Sequence, residues 1–173
     1  NFSEEVPNGQ TIETYKGKIV LFSGNTSSLD HVRNISQTQK DTLLGHSLSG
    51  AGDLNADGYD DLLISNANDL DSFQGYPVVE IYYGSSSGYN GTADFRIQTN
   101  KAGKMFGFSI EYLGDIDNDG YDDMMFSELF NSTSGLYQAG VLRLYNGGPL
   151  GITTAGPDWQ REGPNSNAWL GHT

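Results

Sequence analysis

The sequence predicts an all-β fold, and three observations carry that expectation. Glycine is abundant at 23 of 173 residues, and ten tyrosines and eight phenylalanines supply bulk that favours strands. Apolar runs are short and alternate or stop at Gly, with no helical periodicity sustained over a dozen residues. Above all, the chain repeats itself. LGHSLSGAGDLNADGYDDLLIS from Leu44 aligns without a gap on FGFSIEYLGDIDNDGYDDMMFS from Phe106, 62 residues later.

Each repeat supplies its elements in the same order. After the acidic turn, DLLIS and DMMFS are nearly continuous apolar runs, as expected of a strand buried on both faces. A later strand closes on Gly in each unit: KIVLFSG from Lys18, VVEIYYG from Val78 and VLRLYNG from Val141. The last two alternate, which predicts a position nearer the rim. Within one unit the order is strand, acidic turn, strand, loop, strand, turn, strand. Four strands per roughly 60 residues, repeated, is the pattern of propeller blades, whose small sheets pack face to face. The expected organisation is a partial blade over 1–43, full repeats over 44–105 and 106–168, and the start of a further repeat at 169–173, where WLGHT echoes the opening motif. The chain thus reads as a piece of a larger propeller, two full and two partial repeats, to be completed by further chain or by an assembly.

Charge is the second source of information. The net charge is −13, from 22 acids against nine bases. So acidic a balance excludes a nucleic-acid-binding surface, which needs clustered Lys and Arg. Nine of the acids fall in two short segments, Asp53 to Asp61 and Asp115 to Asp123. In Asp53-Leu-Asn55-Ala-Asp57-Gly58-Tyr59-Asp60-Asp61 and Asp115-Ile-Asp117-Asn-Asp119-Gly120-Tyr121-Asp122-Asp123, oxygen ligands stand at positions 1, 3 and 5. Gly at position 6 permits a sharp turn, the carbonyl of Tyr59 or Tyr121 serves at position 7, and Asp61 or Asp123 closes the sphere at position 9. All-oxygen donors without His or Cys select calcium, one ion per loop and two in all. An EF-hand needs Glu at position 12, where this chain has Ile64 and Phe126, so the loops lead into strands instead of helices. Asp60 and Asp122, at position 8, brace the turn or face solvent.

Taken together, the LG/FG start, the GDLNADGYDDLL loop and the IYYGSSSG strand resemble the FG-GAP repeats of the integrin α-subunit propeller and its relatives. The likeness covers nearly the whole chain, and its departures are Leu44-Gly-His46 and Leu170-Gly-His172 in place of Phe-Gly. The resemblance implies a seven-bladed propeller with calcium on one face and partner-binding loops on the other.

The chain has no cysteine, which removes disulfides, thiolate nucleophiles and Cys-based zinc sites. No apolar run approaches the roughly 18 residues of a membrane span. Five N-glycosylation acceptor sequons, at Asn1, Asn25, Asn34, Asn90 and Asn131, point to the secretory route and an extracellular or cell-surface location. Enzymatic motifs (GxSxG, a P-loop, HExxH) are absent from the sequence. His46 and His172 share a repeat position with Phe108, which marks packing and not catalysis, and His31 lies near Arg33 without a nucleophile motif. The loop aromatics Tyr76, Tyr89, Tyr137 and Trp159 are candidates for a recognition surface, whereas Tyr83 and Tyr145 are expected to pack on strands. The function expected is a non-catalytic, calcium-stabilised adhesion module that recognises protein or glycan through its loops. Two alternatives are a propeller module of a secreted carbohydrate-active or lipid-cleaving enzyme, and a structural subunit of an extracellular filament or matrix.

Overall fold

The computed structural model describes residues 2–5, 11–14, 17–24, 29–36, 42–68, 77–98, 105–131, 133–153 and 156–172. Twelve strands run through them, and among the described residues there is no helix long and apolar enough to cross a membrane. In the leading segment, β1 (Phe2–Glu5) pairs with β2 (Thr11–Thr14), and β3 (Lys18–Gly24) pairs with β4 (Leu29–Ser36). Two four-stranded sheets follow. The first comprises β5 (Thr42–Gly52), β6 (Asp61–Asn68), β7 (Val78–Tyr82) and β8 (Phe95–Gln98). The second comprises β9 (Phe106–Gly114), β10 (Asp123–Glu128), β11 (Val141–Tyr145) and β12 (Trp159–Glu162). Both are antiparallel meanders in which spatial order equals chain order. Each acidic loop is therefore the hairpin connection between the first and second strands of its sheet.

The apolar pattern explains how the sheets stack. Alternate residues of a strand face opposite sides of its sheet. Accordingly Leu62 and Ile64 of β6 join Tyr82, Leu44, Ile19 and Ile35 in a cluster shared with the β3–β4 pair. Leu63, between them, points the other way and joins Val79, Ile81 and Ile97 against Phe106, Ile110, Met124 and Phe126 of the second sheet. The continuous apolar run of β6 is thus buried on both faces, as the sequence predicts. Phe126 is the aromatic centre of the second cluster, edge-on to Phe106 at 4.6 Å and stacked on Tyr145 at 4.9 Å. Successive four-stranded meanders packed face to face are the blade arrangement of a β-propeller.

One expectation is corrected. The alternation in VVEIYYG predicts a half-exposed strand, but every residue of β7 is buried. Its polar member, Glu80, is 1% exposed and balanced within the sheet: Arg96 donates to Oε1 at 2.9 Å and the Tyr82 hydroxyl to Oε2 at 3.0 Å. In the second sheet the polarity is exchanged. Arg143 stands on the third strand and donates to the buried Glu128 on the second, at 2.9 and 3.2 Å. A charge on a central strand is thus tolerated where a cross-strand partner completes it.

The opening motifs of the two full repeats lie on the first strands of their sheets, and that of the next lies in a turn after β12. The rings of His46, Phe108 and His172 form a column across the repeats, at 5.1 Å between the first two and 5.6 Å between the last two. The shared repeat position is thus a packing slot.

Candidate metal centre

Each loop is built on the same hydrogen-bond frame. In the first, Asp53 accepts the Asp57 N–H on Oδ1 at 2.9 Å and the Gly58 N–H on Oδ2 at 2.7 Å. Asn55 Oδ1 also accepts the Asp57 N–H, and Asp57 Oδ1 accepts the Tyr59 N–H, both at 3.0 Å. The second loop repeats this frame. Asp115 accepts from Asp119 and Gly120 at 3.0 and 2.9 Å, Asp117 accepts from Asp119 at 3.2 Å, and Asp119 accepts from Tyr121 at 3.0 Å. Gly58 and Gly120 have φ of 91° and 94°, and the residues at position 4, Ala56 and Asn118, are also left-handed at 55° and 61°. The chain thereby curls its acidic side chains inward around the turn.

Asp61 and Asp123 have a structural task that the spacing does not reveal. Both are fully buried. Asp61 accepts the N–H of Leu54 at 2.9 Å on one oxygen and that of Gly84 at 2.8 Å on the other. Asp123 likewise accepts from Ile116 at 2.9 Å and Gly147 at 3.0 Å. Each carboxylate thus pins its loop to the end of the third strand. The repeated Gly that closes that strand is the signal in the sequence: a Cβ on Gly84 would strike the Asp60 carbonyl, and one on Gly147 the carbonyls of Asp122 and Leu54.

The electrostatics follow from crowding. In the second loop one carboxylate oxygen each from Asp115, Asp117 and Asp123 lies within 4.8 Å of the others, while Asp119 stands outside that trio. The Asp117 carboxyl is pushed above its ordinary range, first by desolvation and then by the charges of Asp119, Asp123 and Asp115, against the opposing Asp119 N–H. In the first loop, burial pushes Asp61 up to about 6, with the backbone N–H groups of Gly84 and Leu54 opposing and Asp57 and Asp53 adding to the rise. The converging trio Asp115, Asp117 and Asp123 is a donor set short of positive charge, and a hard divalent cation supplies what is missing. One further oxygen fits the same need. Asn146 donates through Nδ2 to Asp117 at 2.8 Å, while its Oδ1 is buried without a hydrogen-bond partner among the described residues.

The two loops also touch each other. Asp122, at position 8 of the second, accepts the Asp53 N–H at 2.7 Å, and the Asp122 N–H donates to the Asp53 carbonyl at 3.2 Å. The Gly148 N–H donates to the Leu54 carbonyl at 3.0 Å, and the Tyr83 hydroxyl accepts the Ile152 N–H at 2.8 Å. Of the two outcomes expected at position 8, Asp122 takes the bracing one.

The remaining candidates divide. Asn1, Asn25 and Tyr76 lie outside the described residues. Asn34 and Asn90 are exposed. Asn131 is a correction: it is 2% exposed, and its Nδ2, the atom a glycan would occupy, donates to Glu128 Oε2 at 2.7 Å. Its sequon reads as an acceptor, but its side chain closes a buried polar group instead. Tyr137 and Trp159 are exposed at 67% and 45%, whereas Tyr89 packs against the cluster shared with β3–β4. Tyr145 packs within the core as expected, and Tyr83 bridges the two sheets.

No protein-family model matches the chain. Among curated proteins it is 31% identical to integrin alpha-5 of Xenopus laevis over 158 residues, 87% of this chain and 15% of that protein. It is 30% identical to integrin alpha-PS2 of Drosophila melanogaster over 143 residues, 78% of the chain and 10% of the relative. It is 33% identical to integrin alpha-6 of Gallus gallus over 95 residues, 54% and 8% respectively. The chain therefore spans less than a sixth of the length of these relatives. Its repeats, its stacked four-stranded sheets and these matches agree: the chain is similar to integrin α subunits over most of its length, consistent with an FG-GAP, integrin α-like propeller region.

Proposed function

We propose that the chain forms part of a calcium-stabilised, non-catalytic propeller module that acts outside the cell in adhesion or protein recognition. The observation that carries this reading is the pair of acidic loops, built on one frame 62 residues apart in a chain similar to integrin α subunits. The residues that would hold the first ion are Asp53, Asn55, Asp57 and Asp61 with the Tyr59 carbonyl. For the second they are Asp115, Asp117, Asp119 and Asp123 with the Tyr121 carbonyl. Calcium neutralises the converging carboxylates and so fixes each hairpin at the edge of its sheet. The protein's own contribution is orientation, because backbone N–H groups hold the carboxylates in place around the turn.

Domain boundaries of 1–43, 44–105, 106–168 and 169–173 fit this module, and solvent-facing Asn34 and Asn90 suit glycosylation on an extracellular surface. Tyr137 and Trp159 offer exposed aromatic area to a protein partner. Thermal unfolding tests the reading. Calcium at a hundred times its dissociation constant stabilises the native state by about 2.7 kcal/mol per site, so excess chelator should lower the melting temperature clearly. A melting temperature that ignores the chelator would remove calcium from the account.

A further inference from the structure

The contact between the loops has a consequence for how they bind. Asp53 is the first ligand position of the first loop. Its own N–H and C=O are both engaged by one residue of the second loop, Asp122, which lies between Tyr121 and Asp123. The Asp122 carboxylate is held in turn by the Tyr112 hydroxyl on β9. Gly52, which precedes Asp53, has φ of 61°, and a Cβ there would run into the Asp122 carboxylate and the Tyr112 ring. The close approach is therefore built into the backbone of both loops. A second link runs parallel to it, from Gly148 N–H to the carbonyl of Leu54, a residue fully buried between the sheets.

We infer that Asp122 is a positioning residue that couples the two calcium loops, so that filling the second raises the affinity of the first. This rests on the calcium reading above and extends it from two sites to one linked pair. The physical argument concerns where Asp122 sits in its own loop. Closure of the second loop around an ion fixes the backbone at Tyr121 and Asp123, and with it the residue between them. A fixed Asp122 holds Asp53 by two hydrogen bonds, so the first loop loses less conformational freedom when its own ion enters. Linkage makes the effect reciprocal.

The test is calcium titration calorimetry on the full 173-residue chain, stripped of metal, with single-site variants. Asp57→Ala leaves the second site and Asp119→Ala the first. The intact chain should bind two ions with an overall constant roughly tenfold above the product of the two single-site constants, within the 5- to 150-fold typical of coupled sites. Adding Asp122→Ala to all three chains should reduce that factor to about one. Asp122→Asn, which keeps an acceptor for the Asp53 N–H, and Tyr112→Phe should give intermediate factors, and they decide the matter if the alanine variant does not fold. Failure of the intact chain to bind calcium would overturn the calcium reading and the coupling together. Two ions bound with no excess over the product would leave the calcium reading standing and overturn the coupling. A tenfold factor that survives every change at Asp122 and Tyr112 would remove Asp122 from the link.

Discussion

The two acidic loops share a frame and differ in what surrounds it. The first has Asn55 at position 3, Ala56 at position 4 and Tyr83 at the end of its third strand; the second has Asp117, Asn118 and Asn146. The first loop therefore carries one carboxylate fewer at its ligand positions, but a following sheet covers it. Leu54 is fully buried under the turn at Gly147 and Gly148 of the second sheet. The lesson is that identical spacing does not make identical sites. The number of carboxylates sets the attraction for a cation, and neighbouring sheets set how rigidly the donors are held.

The largest expected effect tests the shared frame. Gly147→Ala places a methyl group against two carbonyl oxygens of neighbouring loops, Asp122 and Leu54, and should cost about 3 kcal/mol in urea unfolding. Gly120→Ala meets no atom within 4 Å and should cost only the left-handed strain, about 1 kcal/mol. Equal losses would show that the third-strand glycine is not a close-approach position.

Next comes pH. Burial raises the native Asp61 carboxyl to about 6 from 3.8, so between those values the native state binds more protons than the unfolded one. In calcium-free buffer this group's contribution to stability is therefore greatest below about pH 4. It falls by up to about 3 kcal/mol as pH rises to 6 and beyond. Calcium favours the ionised form, so affinity should rise over the same interval with proton release. Urea midpoints of the metal-free chain and of Asp61→Asn across pH 4 to 7 check the slope, which the variant should flatten.

Two smaller changes exchange the loops' identities. Asn55→Asp gives the first loop the second loop's carboxylate, and its calcium affinity should rise roughly tenfold, about 1.4 kcal/mol. Asp117→Asn should lower the second by a similar factor. Ala56→Asn relieves a β-carbon held at φ of 55° by a residue that tolerates this region, as Asn118 does in the second loop. The gain should be about 0.5–1 kcal/mol, a rise of a few degrees in melting temperature.

Much of this was legible in the sequence because local rules and tertiary packing agree there. The repeat fixes the loops, and the apolar runs after Asp61 and Asp123 identify the strands buried on both faces. The reading fell short where a side chain's fate depends on a partner distant in sequence. Glu80 reads as a rim residue until Arg96 and Tyr82 are placed beside it. Asn131 reads as a sequon until Glu128 claims its amide. Asp122 reads as a local brace, although it grips a loop 69 residues away. The β1–β2 pair went unread although Pro7-Asn8-Gly9, between the two strands in sequence, is a turn signal, because the pair lies outside the repeated pattern that guides the rest.

The most direct test of the account is a calcium titration of the metal-free chain that resolves which loop fills first. The account predicts two ions, with the second loop, richer by one carboxylate, taking up the first of them. Asp119→Ala should then abolish the tighter phase, and Asp57→Ala the weaker. No calcium uptake, or a tighter phase that disappears with Asp57→Ala instead, would contradict it.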